Sequence, residues 1–173
     1  LEATLELDKE MITTFQDEAN EIIAELRDVI DALEDSTDKF PKELLEDFAN
    51  KTDRLMGSAK TFETMYSGAP VFNQIGKFAE LCKATGYKAS TLNHQGLIPI
   101  FAAFWADTLD ILEDLVKYCD DPAKIAEVKK TYIPTLQKRL VWLAQQIVTL
   151  TKGSGVESKI NVDGLLKRMG IDI

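Results

Sequence analysis

Apolar residues recur at spacings of three and four almost throughout the chain, and no stretch alternates with period two for long. Met11, Phe15, Ile22, Leu26, Val29 or Ile30, and Leu33 share one stripe and predict a helix from about Asp8 to Leu33. Asp35-Ser36-Thr37-Asp38 then supplies turn and capping chemistry, and Pro41 suits a first helical turn. Leu44, Leu45, Phe48, Leu55, Ala59 and Phe62 predict the buried face of a second helix, which Ser67-Gly68-Ala69-Pro70 breaks. Val71, Ile75, Phe78, Ala79 and Cys82 predict a third helix with Gly86 as its C-cap, and residues 88–96 read as a connecting loop. A fourth helix is expected from about Leu97 to Cys119, built on Phe101, Phe104, Trp105, Leu112, Leu115 and Val116. Asp121-Pro122 pairs a cap with a first-turn proline and opens a fifth helix reaching about Leu150. Pro134 lacks an N–H and is expected to kink or split that helix. Five amphipathic helices on short connections predict an all-α, antiparallel up-down bundle over residues 1–150.

After Leu150 the pattern stops. Residues 151–160, rich in Gly, Ser and Lys, read as a flexible linker with an r.m.s. span of ~15–18 Å. Residues 161–173 regain a helical stripe, with Val162, Leu165, Leu166 and Met169 at i, i+3, i+4 and i+7. Asn161 can cap it, Lys167 and Arg168 suit its C-terminal end, and Gly170 can terminate it. A helix this short is marginal alone, so the stripe must dock, either on its own bundle or in the groove of a partner.

Composition narrows the function classes. A chain of 173 residues with 45% hydrophobic and 28% charged residues can build one ordinary core without disulfide or metal staples. Twenty Lys+Arg against 29 Asp+Glu give a net charge of −9, which opposes a nucleic-acid ligand. The charge is uneven: the first fifty residues hold 16 acids and 4 bases, a balance of −12, and the remainder is close to neutral. No run approaches the ~20 apolar residues of a membrane span, and no basic-then-apolar signal is evident, so no membrane partner is expected. Cys82 and Cys119 sit on apolar stripes and read as buried free thiols of a reducing cytoplasm. The single histidine, His94, lies in a loop-like Asn93-His94-Gln95-Gly96 and reads as solvated surface; no metal cluster, phosphate loop or nucleophile–base pair is evident.

The second helix carries the chemistry. Its outward face presents Glu46, Asn50, Asp53 and Gly57. A mid-helix glycine costs ~1 kcal/mol against alanine, so Gly57 calls for a reason, either close approach by another surface or packing by a neighbouring helix. Thr52-Asp53-Arg54-Leu55-Met56-Gly57-Ser58-Ala59 resembles the His-x-Leu-Lys-Gly-Ser-Ala motif of histidine phosphotransfer (HPt) domains, most closely those of CheA kinases. An acidic helix from Phe15 to Ala19 before it and Ile75-Gly76-Lys77-Phe78-Ala79 after it extend the likeness over about Asp8 to Tyr87. The resemblance implies a four-helix core whose glycine leaves room for a response-regulator receiver domain. The chain departs from the family at Asp53 in the histidine slot and Met56 in the lysine slot. An aspartate cannot form the phosphoramidate of a reversible carrier, so a phosphorelay carrier is not expected.

Val162-Asp163-Gly164-Leu165-Leu166 through Gly170 is similar to the C-terminal CheY-binding peptide of CheZ phosphatases and to the peptide of the flagellar switch protein FliM. Together these likenesses imply a chemotaxis or two-component protein that binds a CheY-like regulator through Asp53, Gly57, Val162, Leu165, Leu166 and Met169. Any Mg²⁺ would be held by the receiver, and the chain needs no cofactor of its own. CheZ-like dephosphorylation needs a positioned amide and a nearby acid. Asn50 with Glu46, or with Asp47 in the spacing of the CheC and CheX phosphatases, are the catalytic candidates. The alternatives are a non-catalytic HPt-like adaptor that sequesters or localises the regulator, and a structural bundle whose tail docks at home or joins two copies in a homodimer.

Overall fold

Asp8 opens the first helix by accepting the Glu10 amide on its side chain at 3.0 Å. From there the chain, seen in a computed structural model that describes residues 8–155 and 159–171, winds into six α-helices. They are α1 (Lys9–Asp35), α2 (Lys42–Met65), α3 (Pro70–Leu92), α4 (Ile98–Lys117), α5 (Pro122–Thr151) and α6 (Val162–Arg168), with a 3₁₀ turn at Gln95–Leu97 before α4. The described residues contain no strand, and the fold is the all-α helical bundle that the spacing predicts.

Cross-helix contacts place the elements. Between α1 and α2 they join Met11 to Tyr66, Glu18 to Ser58, and Glu25 to Arg54. Between α2 and α3 they join Glu63 to Asn73, Asp53 to Lys83, and Phe48 to Gly86. Positions rise along one helix as they fall along the other, so these pairs run in opposite directions. Gln16 of α1 donates to the Val116 and Lys117 carbonyls at the end of α4, while Arg27 bridges Asp110 and Glu113 one end further along. The bond to Glu113 leads in raising the Arg27 pKa above its ordinary value. Helices α1 to α4 thus close a ring around one core, and α5 packs outside it against α4 and, through Tyr132 on Phe78, against α3.

Two aromatic groups fill the core. Phe15, Phe62 and Phe72 meet at ring distances of 4.8 to 5.5 Å near one end. Near the other, Trp105 stacks on Phe48 at 4.2 Å and leans on Phe101. Its indole N–H donates to the Thr85 hydroxyl at 2.8 Å, which in turn donates to the Leu81 carbonyl. A buried polar relay is thereby satisfied at each step.

The structure corrects several boundaries. Gly86 does not cap α3: the helix runs on to Leu92 because Ala89 and Leu92 continue its buried stripe, and Asn93 in the left-handed region (φ 48°) ends it. The expected loop 88–96 therefore shrinks to Asn93 and His94 before the 3₁₀ turn. Gly86 is buried beside the Phe48 and Trp105 rings. His94 is not plain solvated surface but half-buried, its Nδ1 accepting the Gly96 amide at 3.1 Å as the cap of that turn. Pro41 precedes α2 as its N-cap instead of entering the first turn. Pro134 does not split α5, which passes through it as one helix. Residues from Gln95 to Lys117 are, against expectation, long and apolar enough by length and composition to cross a membrane. Phe101, Phe104, Trp105, Leu109 and Leu112 from this segment lie fully inside the bundle, which accounts for its apolarity.

Both cysteines are free and buried, as the stripes predict. Burial pushes the Cys82 thiol up to about 12 and the Cys119 thiol up to about 11, with Asp120 adding to the latter. The native protein is therefore expected to label slowly with a thiol reagent at pH 8 and rapidly once unfolded in urea. Because the folded state keeps these protons longer, stability should be intact below pH ~8.5 and decline as pH rises beyond it. Fast labelling of both thiols without denaturant would contradict this.

Candidate functional site

The outward face of α2 is assembled as the wheel predicts. Glu46, Asn50, Asp53 and Gly57 are all exposed, while Leu45, Phe48, Thr52, Leu55 and Ala59 turn inward. Thr52 is buried without penalty because its hydroxyl donates to the Ala49 carbonyl at 2.8 Å. Met56, in the position of the family's lysine, is half-buried against the core and presents no charge to the face.

Gly57 is the informative position. A Cβ built there meets nothing within 4 Å among the described residues, so none of the described helices requires the glycine. Of the two readings of Gly57, packing within the bundle is overturned; an open surface remains. One turn earlier, Asp53 accepts a hydrogen bond from Lys83 Nζ of α3 at 2.7 Å, and both side chains are about half-exposed. Such a surface pair adds ~0–1 kcal/mol, so partners can exchange without unfolding the bundle.

The catalytic candidates separate. Glu46 and Asn50 are exposed one turn apart on the same face. Asp47 is not with them: it is half-buried and receives Lys51, beside a depression lined by Glu25, Asp28, Val29 and Leu44 on the α1 side. Asp47 and Asn50 are neighbours by spacing, but the Asp47 carboxylate is taken by Lys51 toward the α1 side and not toward the Asn50 amide.

The motif does not point to Tyr87, yet it is 76% exposed on α3, one turn beyond Lys83. Since Lys83 faces Asp53 and the two helices run oppositely, Tyr87 lies toward the Asn50 end of the face. The sequence signal is its position off the Cys82–Thr85–Ala89 stripe, an aromatic where the period calls for a polar residue.

The tail docks at home. Leu166, Met169 and Ile171 are buried, and Val162 and Leu165 are half-buried, on a surface offered by α3 and α5. The stripe assigned to a partner is thus occupied by the chain's own bundle. Asn161 caps α6 by accepting the Gly164 amide at 2.9 Å, as its position predicts. The linker also starts later than expected: Thr151 is helical and buried, its hydroxyl donating to the Ile147 carbonyl. Residues 156–158 of the linker, and 172–173 at the tail's end, lie outside the described residues.

No protein-family model, curated protein or solved structure matches this chain. The reading of the α2 face therefore rests on its own residues. Among the described residues no group of three His, Cys, Asp or Glu is placed to hold a metal. What the face offers is an exposed amide, an exposed acid, an ion pair and an aromatic ring beside an open backbone. That is equipment for recognition, with one amide able to position a water.

Proposed function

We propose that the chain is a two-component signalling protein of the cytoplasm, an HPt-like bundle with its phosphoacceptor replaced, that docks a CheY-like receiver on the α2 face and shortens the life of the receiver's phosphate. The observation that carries this reading is Gly57: an exposed glycine in mid-helix whose Cβ position is empty, a cost of ~1 kcal/mol that no contact among the described residues recovers. Close approach by another surface recovers it. In this reading Asn50 orients water toward the aspartyl phosphate, Glu46 meets the receiver's lysine, and the receiver supplies the Mg²⁺. Asp53 anchors the face through Lys83 and carries no phosphate.

The adaptor reading, in which the regulator is held without loss of phosphate, is favoured by one observation. Asp47 is engaged by Lys51 and Asp53 by Lys83, which leaves Glu46 as the acid near Asn50 on the face without an ion pair among the described residues. Following the phosphate lifetime of a CheY-like protein separates the two. The full chain is expected to shorten it, and Asn50→Ala to remove at least about tenfold of that acceleration while binding persists. Binding without any change in lifetime selects the adaptor. Absence of binding to CheY-like receivers removes both readings.

A further inference from the structure

Every aromatic residue of the chain is buried or half-buried except one, and that one is Tyr87, 76% exposed on α3. Among the described residues its ring stacks on no other ring and its hydroxyl makes no hydrogen bond. A lone exposed ring is ordinary by itself; the position of this one is not. The contact of Lys83 with Asp53 at 2.7 Å sets the register of α3 against α2, which run in opposite directions. One further turn along α3 therefore brings Tyr87 level with Asn50, three residues before Asp53 on α2. Asn50, Asp53, Lys83 and Tyr87 are all exposed, so they form one surface across two helices, with Gly57 open two turns beyond Asn50.

We infer that Tyr87 is the anchor that sets the affinity of the receiver for this surface. The inference rests on the receiver-docking reading of the α2 face and adds α3 to it. A tyrosine offers a large rigid contact with few rotors to fix, and its hydroxyl can still bond once the ring is covered. A few such aromatic anchors carry most of the binding energy at protein interfaces, while the contacts around them mainly exclude water. The two helices then divide the work. Gly57 lets the partner come close, Tyr87 holds it, and contact at both places fixes the Asn50 amide against the partner.

Titrating the full chain against a CheY-like receiver, with the phosphate lifetime followed in parallel, tests the inference. Tyr87→Ala is expected to bind at least about tenfold more weakly with its melting temperature retained, since the side chain is exposed. Tyr87→Phe keeps the ring and should recover most of the affinity. The loss in Tyr87→Ala should lie in the concentration needed for half the effect, with the saturated acceleration kept; Asn50→Ala should show the reverse. Val141→Ala removes another exposed apolar side chain, on the outer helix α5, and should bind like the parent. The inference is overturned by undiminished binding in Tyr87→Ala, by an equal loss in Val141→Ala or Tyr87→Phe, or by loss of the saturated acceleration in Tyr87→Ala. If Gly57→Gln still loses affinity in the same titration, the docking reading survives that result. A parent chain that binds no CheY-like receiver overturns both.

Discussion

Replacing Trp105 by alanine is expected to destabilise the bundle by about 3–5 kcal/mol, the range for removing a fully buried aromatic side chain. The indole is stacked on Phe48 at 4.2 Å, leans on Phe101, and lies beside Gly86, so three helix positions lose contact at once. Its Nε1–H also serves Thr85 at 2.8 Å. Thr85→Val removes that acceptor while keeping the volume, and should cost about 1–3 kcal/mol because the indole donor is then buried without a partner. The two variants report different physics at one place, a cavity and an orphaned donor. Urea midpoints at constant m-value measure both. A loss below ~1 kcal/mol in Trp105→Ala would show that the bundle collapses around the vacancy, contrary to a close-packed core.

Gly57→Ala is expected to raise stability by roughly 0.5–1 kcal/mol, because the added methyl meets nothing within 4 Å and the helix loses its least favourable interior residue. Gly57→Gln keeps most of that gain and fills the open space. Receiver binding should fall by at least about tenfold in the glutamine variant, a change of ~1.4 kcal/mol in affinity. A substitution that strengthens the fold while abolishing association is difficult to attribute to misfolding, and this makes the pair decisive. Undiminished receiver binding in Gly57→Gln would remove the close-approach reading of this face.

The helical period made most of the fold legible, and where it failed the reasons are local. The stripe Phe15–Ile22–Leu26–Leu33 located α1, because a helix with one buried side must repeat apolar residues at that interval. Gly86 misled because glycine serves two purposes: it ends helices by adopting positive φ, and it lets large rings sit close. Only the three-dimensional position of Phe48 and Trp105 decides between them, and Asn93 is the less common residue that took the terminating role. On the face, the period separated Glu46, Asn50, Asp53 and Gly57 from the core, but it could not show that Lys83 reaches Asp53 from another helix. Nor could it place Tyr87 beside them. For the tail, the stripe showed that Leu166 and Met169 must be covered; what covers them is a property of α5 and of the sequence-distant α3, which the stripe does not record.

The contact of Gln16 with the end of α4 spans one hundred positions, and the Arg27 bridge to Asp110 spans eighty-three. Helices α1 to α3 associate through neighbours in sequence, but the ring closes only through these distant pairs. During synthesis the first three helices emerge with the seat of Trp105 empty and the aromatic edges of Phe48 facing water, until the chain has grown past Lys117. Loop-closure entropy delays the last contact, while the local helix pairs are already made. The first fifty residues carry 16 acids and 4 bases, so copies of a three-helix fragment with an open core would repel one another by charge.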